Sequence, residues 1–191
     1  MARLDVAGGS RSAPSRRSRW AIFPPRARCS VGGTEISRDQ ACWLENFAAG
    51  FASEDGTCPS ADVRDVRVAP DEAAGRIQDA AATLGGAVAA GATERNLVIS
   101  DQGRMPGDMA LSMILGEYLI HGWDLARATG QAWDPDEDTI RTAHAFLAGM
   151  VTPEYRGPGG MFGPEVDVPA DAPALEKLVG FAGRDPKWAP A

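Results

Sequence analysis

Between Leu111 and Ala126 apolar side chains point in nearly every direction of a helical wheel: Leu111, Met113, Ile114, Leu115, Tyr118, Leu119, Ile120, Trp123, Leu125 and Ala126. A helix that is apolar all round is a buried one. The pattern predicts a long central helix over 108–129, with Gly130 placed just past its end, where a left-handed residue is favoured. Trp43, Phe47 and Phe51 recur every four residues and predict a shorter amphipathic helix over 38–52. Residues 70–91 carry Asp71 and Glu72 where a helix N-terminus favours acids, followed by closely packing alanines, and predict another. "RNLVIS" (95–100) reads as a brief extended segment and "DQGRMPG" as a turn. In "DPDEDTIRTAHAFLAGM" Asp134 is the expected N-cap and Pro135 the first helical residue of a helix ending near Gly149. A Gly/Pro-rich loop and a short helix over 172–181 follow, and no internal repeat is present.

With 191 residues and 44% apolar content the chain can build one domain with a sizeable core. Strand candidates are few, so the expected class is all-α. Residues 1–37 are rich in Arg, Pro and Ser and carry no helical stripe; they are expected to be disordered or atypical, with the helical domain spanning 38–191. The net charge of −7 is unevenly spread, because eight arginines fall within residues 1–38. The acidic body argues against nucleic acid as a partner, since phosphate binding needs a basic face. Cys29, Cys42 and Cys58 show neither CxxC spacing nor an even count, which points to a reduced, cytoplasmic protein. The apolar run nearest to a membrane span, 109–126, is interrupted by Glu117, His121 and Asp124, so no membrane partner is expected.

Those three ionisable residues raise the chemical question. They sit at i, i+4 and i+7, and therefore share one face of a buried helix. Burying a carboxylate costs several kcal/mol unless it is paired, hydrogen-bonded or bound to a metal. A carboxylate and a neutral imidazole one turn apart are common ligands for zinc and other divalent metals, but a catalytic site usually takes a third protein ligand. On spacing alone a satisfied polar core, with Glu117 and His121 bonded to each other or to Arg127, is the more economical reading. Trp43, Trp123, Trp133, Met105, Met109 and Met113 read as packing groups, and glycines 157, 159, 160 and 163 neither follow a strand nor open a helix, as a phosphate loop would.

The run "MPGDMALSMILGEYLIHGWDLARATGQ" resembles the signature of the DinB-like, mycothiol-dependent maleylpyruvate isomerase-type metal-binding family, in its actinobacterial members. "HGWDLARATG" is its specific part, and "YRGPGGMFGPEVDVPADAPALEKLVGFAGRDP" resembles the family's C-terminal region; the similarity covers 68–186. The resemblance implies a four-helix bundle whose first helix is here degraded or missing, with a short C-terminal helical extension. It implies a divalent metal, usually zinc, held by a second-helix histidine with the fourth-helix carboxylate and histidine. It further implies a small-molecule thiol, mycothiol, as cofactor and partner alongside the substrate, in an isomerase or group-transfer reaction. Glu117 and His121 fall on the fourth-helix ligand positions, while Gln40 stands where the second-helix histidine is expected. A neutral amide is a poor zinc ligand; Cys42, Asp39 and Glu45 are nearby substitutes only if the register shifts, and His144 lies on the following helix. Asp124 would orient a ligand or pair with Arg127, as carboxylates behind metal-bound imidazoles do. The competing expectation is a non-catalytic bundle that has lost its metal and serves as a binding or structural module.

Overall fold

A computed structural model describes residues 33–59, 68–100, 103–158 and 160–190 of the chain. Residues 1–32 of the segment 1–37 expected to be disordered or atypical lie outside the described residues, while 33–37 form the first turn of a helix that starts five residues before the expected residue 38. Two helices come first, α1 (Gly33–Ala52) and α2 (Pro70–Ala89). Proline at the start of α2 has no amide to leave unpaired, and Asp71 and Glu72 follow in its first turn. Ala73, Ala80 and Leu84 bury the inner face of α2, while Phe47 and Phe51 of α1 are almost fully enclosed. Small residues facing large ones let the two helices approach closely. Glu45 and Arg76 form a bidentate pair across them; being part-exposed, it adds at most about 1 kcal/mol.

The extended segment of 95–100 has a partner that the sequence pattern does not announce. β1 (Asn96–Ser100) pairs antiparallel with β2 (Gly103–Pro106), Leu97 opposite Met105 and Val98 opposite Arg104. Val98 also bonds the 56–58 loop, its N–H reaching Gly56 O at 2.8 Å and its carbonyl accepting from Cys58 N at 2.9 Å. Gly56 has φ of 74° and would place a Cβ 2.3 Å from Asn96 O, so only glycine fits this approach. The guanidinium of Arg95 donates to Phe51 O near the end of α1, fixing the hairpin to that helix. The described residues are thus predominantly helical with one small hairpin.

α3 (Gly107–Thr129) leaves β2 directly and ends at Gly130, which adopts the expected left-handed conformation with φ of 67°. It packs between α1 on one side and α4 (Glu137–Met150) on the other, with Ala110, Ile120 and Leu147 fully enclosed. The start of α4 differs from the expectation: Asp136, not Asp134, is the cap. Its carboxylate accepts from Asp138 N at 3.0 Å and Thr139 N at 3.1 Å, satisfying two otherwise unpaired amides, which Asp134 and Pro135 precede. α5 (Ala174–Phe181) begins after Pro173 and seals the far side of α4 with Leu178 and Val179. No described helix is long and apolar enough to cross a membrane.

Candidate metal centre

The shared face of Glu117, His121 and Asp124 is enclosed, the three residues being 3%, 4% and 6% exposed. Burial follows from the position of α3 between its neighbours, and it makes each charge depend on a partner. His121 sits between the two carboxylates. Its Nδ1 lies 3.1 Å from Asp124 Oδ2 and its Nε2 3.2 Å from Glu117 Oε2.

Asp124 is in turn held by Arg184, whose Nη2 donates to Oδ2 at 3.0 Å and whose Nε donates to Oδ1 at 3.3 Å. Arg184 arrives just after α5, where its own amide bonds Val179 O at 2.9 Å and its Nη1 bonds Ala182 O at 2.9 Å. A fixed, two-pronged guanidinium of this kind is the strong form of ion pair. Arg127, the expected partner of Asp124, is elsewhere: it donates to Pro186 O at 3.1 Å and lies 5.5 Å above the Trp123 ring. Local spacing pointed to Arg127, three residues on; the structure takes the cation from 60 residues away. The one hint of Arg184 in the sequence is the need of a buried acidic stripe for a cation.

Across from α3, Gln40 of α1 is also buried, at 8% exposure. Its backbone carbonyl accepts a 2.6 Å bond from the Tyr118 hydroxyl, whose pKa burial raises, so that it stays a donor. The Gln40 side chain comes close enough to Glu117 to draw that carboxyl's pKa down slightly, yet the geometry falls short of a hydrogen bond. Among the described residues, Gln40 Oε1 and both oxygens of Glu117 are buried without a hydrogen-bond partner. Such atoms are uncommon in a finished core and call for an explanation.

The described alternatives to Gln40 have other partners. Cys42 packs with Val68 and Ala73 between α1 and α2. Glu45 is committed to Arg76, and the Asp39 side chain lies outside the described residues. His144 is half-buried, with its ring 5.2 Å from that of Phe181; burial lowers its pKa, as expected for a structural histidine. Among the described residues no group of three or more His, Cys, Asp or Glu is arranged to hold a metal ion. The structure brings Glu117 and His121 Nε2 within 3.2 Å of each other and sets the Gln40 side chain beside Glu117.

Protonation follows from the same contacts. Desolvation raises the pKa of Glu117, against the pull of His121, Arg184 and Gln40. Desolvation opposes charge on His121 too, but the bonds to Asp124 and Glu117 outweigh it and push its pKa up to about 9. Asp124 is also desolvated, yet His121 and Arg184 hold its carboxyl below the usual range. Arg184 and Asp124 cancel, and the Glu117–His121 pair holds one proton between them. Whichever of the two carries it, the cluster is neutral overall, which is how a buried site avoids the cost of an unbalanced charge.

No protein-family model and no solved structure matches the chain. Over 82 residues it is 37% identical to "Uncharacterized protein Rv0738" of Mycobacterium tuberculosis (strain ATCC 25618 / H37Rv) and, equally, to "Uncharacterized protein MT0763" of strain CDC 1551 / Oshkosh. That stretch is 43% of this chain and 45% of each relative, so the match spans less than half the length of these curated proteins.

Proposed function

We propose that Glu117 and His121, with the Gln40 amide oxygen as a weak third donor, hold a divalent metal, zinc, in a DinB-like bundle. On this reading the chain is a cytoplasmic enzyme of the maleylpyruvate isomerase or thiol-transferase type, dependent on mycothiol or a similar low-molecular-weight thiol. The observation that carries the proposal is the buried approach of Glu117 Oε2 to His121 Nε2 at 3.2 Å, with the Gln40 side chain beside Glu117 and no hydrogen bond to either Glu117 oxygen among the described residues, while Asp124 occupies the opposite ring nitrogen. A carboxylate on Nδ1 fixes the tautomer in which Nε2 would be the ligating nitrogen.

When bound, such a metal supplies Lewis acidity that lowers the pKa of a coordinated thiol. The chain's own residues set the conditions. Glu117 contributes one negative charge against two positive ones, since His121 and Gln40 ligate as neutral groups and Asp124 is cancelled by Arg184. The residual positive charge, in a site closed to water, favours an anionic exogenous ligand such as a thiolate. Loading also requires the Glu117–His121 pair to give up its shared proton.

A second reading has its own support. A neutral amide in place of a histidine, and an imidazole already bonded on both sides, suit a bundle that keeps its polar core without metal and serves as a binding or structural module. Elemental analysis of the purified chain, with zinc titrations of the wild type and Gln40→His, separates the two. Metal binding predicts partial zinc retention and an affinity gain of orders of magnitude for Gln40→His. No zinc in either protein, both folded, refutes it.

A further inference from the structure

The chain has five methionines after Met1, and all five line one pocket: Met105 from β2, Met109 and Met113 from α3, Met150 at the end of α4, and Met161. They come from four separate segments. The cavity measures about 260 Å³ and opens to solvent on one side. Met113 is 3% exposed and forms its inner wall, Met109 is 41% exposed at its rim, and the ring of Phe162 closes one side. Methionine commonly fills irregular gaps in cores. Here five of them surround a gap that they leave open.

Among the described residues the lining contains one charged side chain, Arg104, and no acid. Arg104 is exposed, and its guanidinium is engaged in no ion pair among the described residues. An apolar cavity with one convergent charged group at its mouth has the composition of a small-molecule site, and its size is below the roughly 300 to 1,000 Å³ of drug-sized pockets. We propose that this pocket binds a small apolar carboxylate, its hydrocarbon body among the thioethers and Phe162 and its carboxylate on Arg104. A planar guanidinium matches a carboxylate with two parallel hydrogen bonds. One cation balances a monoanion, whereas a phosphate monoester would bring a second charge with no partner in the lining. Thioethers are flexible and polarizable, so the pocket tolerates variation in the hydrocarbon body more readily than in the charged end. The site is separate from the metal proposal, because none of its lining residues belongs to the Gln40, Glu117, His121 and Asp124 cluster.

The test uses the full chain labelled with [methyl-13C]methionine, titrated with octanoate and, in parallel, with octan-1-ol. Octanoate is expected to shift the five pocket methyls in a saturable manner and to bind about tenfold more tightly than the alcohol, the difference expected of one charge-assisted contact. Arg104→Gln, an exposed change, should erase that difference while leaving the alcohol's affinity and the melting temperature unchanged. Absence of saturable methyl shifts up to about 5 mM octanoate, a weak limit for so small a ligand, overturns the proposal. So does equal binding of octanoate and octanol by the wild type, a comparison that stands even if the variant misfolds. Zinc binding is read separately and can fail or succeed without affecting this result.

Discussion

Glu117→Gln separates a metal site from a polar core most sharply, because the side chain keeps its shape and loses only its charge. Among the described residues neither Glu117 oxygen has a hydrogen-bond partner, and the residue is 3% exposed, so in the apoprotein desolvation of the carboxylate is poorly compensated. Its close polar neighbours are His121 Nε2 at 3.2 Å and the Gln40 side chain. Under the metal reading the neutral amide should therefore change apoprotein stability by no more than about 1 kcal/mol in either direction. Zinc at a hundred times its Kd should add about 2.7 kcal/mol to the wild type and nothing to the variant. Under the polar-core reading the pair itself supports the fold, and breaking it costs about 3 to 5 kcal/mol with or without metal. Urea melts of both proteins, in zinc and in chelator, give the four free energies required. A loss of 3 kcal/mol or more in chelator, with no zinc effect on the wild type, would refute the metal reading.

The other expectations follow from single contacts. Asp124→Asn should weaken zinc binding by about 10- to 100-fold, by releasing the imidazole from its orienting carboxylate, and a competition titration with a chromogenic chelator measures it. The pair's shared proton makes apoprotein stability depend on pH: His121 is raised from 6.5 to about 9, so its contribution is complete below 6.5 and is lost as pH rises towards 9. The slope should reach about 1.4 kcal/mol per pH unit within that window, and His121→Gln should flatten it in chelator-treated urea melts. Asp136→Ala should cost about 1 kcal/mol, against almost nothing for Asp134→Ala, because only Asp136 caps α4; thermal melts of the two variants test this.

What could be read in the sequence was set by the range of the interaction behind each feature. The extent of α3 and its glycine terminus depend on local periodicity and backbone conformation, and the structure repeats them. β2 is four residues long, bounded by Gly103 and Pro106, and too short to show alternation; its pairing with β1 is visible only in three dimensions. The cap of α4 lies two residues beyond the expected one because Asp134 with Pro135 and Asp136 with Glu137 offer nearly equal local signals, and the hydrogen bonds from Asp138 and Thr139 decide between them. In the candidate site the shared face of Glu117, His121 and Asp124 on α3 is legible from spacing, whereas the burial of Gln40 against α3 rests on contacts between helices. The five methionines, three of which read singly as packing groups, gain another meaning only when four segments meet around one cavity.

Arg184 shows why the tail after α4 bears on the site. Without it, Asp124 and Glu117 would bring two carboxylates to a single imidazole, and the buried cluster would carry excess negative charge that a protonated Glu117 would have to absorb. With it, Asp124 is neutralised from behind, so the proton it shares with His121 stays on Nδ1 and the imidazole is presented in one tautomer. Arg184 is positioned by α5, through its amide bond to Val179 O and its side-chain bond to Ala182 O. The C-terminal helix therefore does more than cover the core: it delivers the cation that sets the charge balance of a site on α3. This dependence holds under either reading, because a metal-bound histidine and a buried imidazolium both need Asp124 ionised.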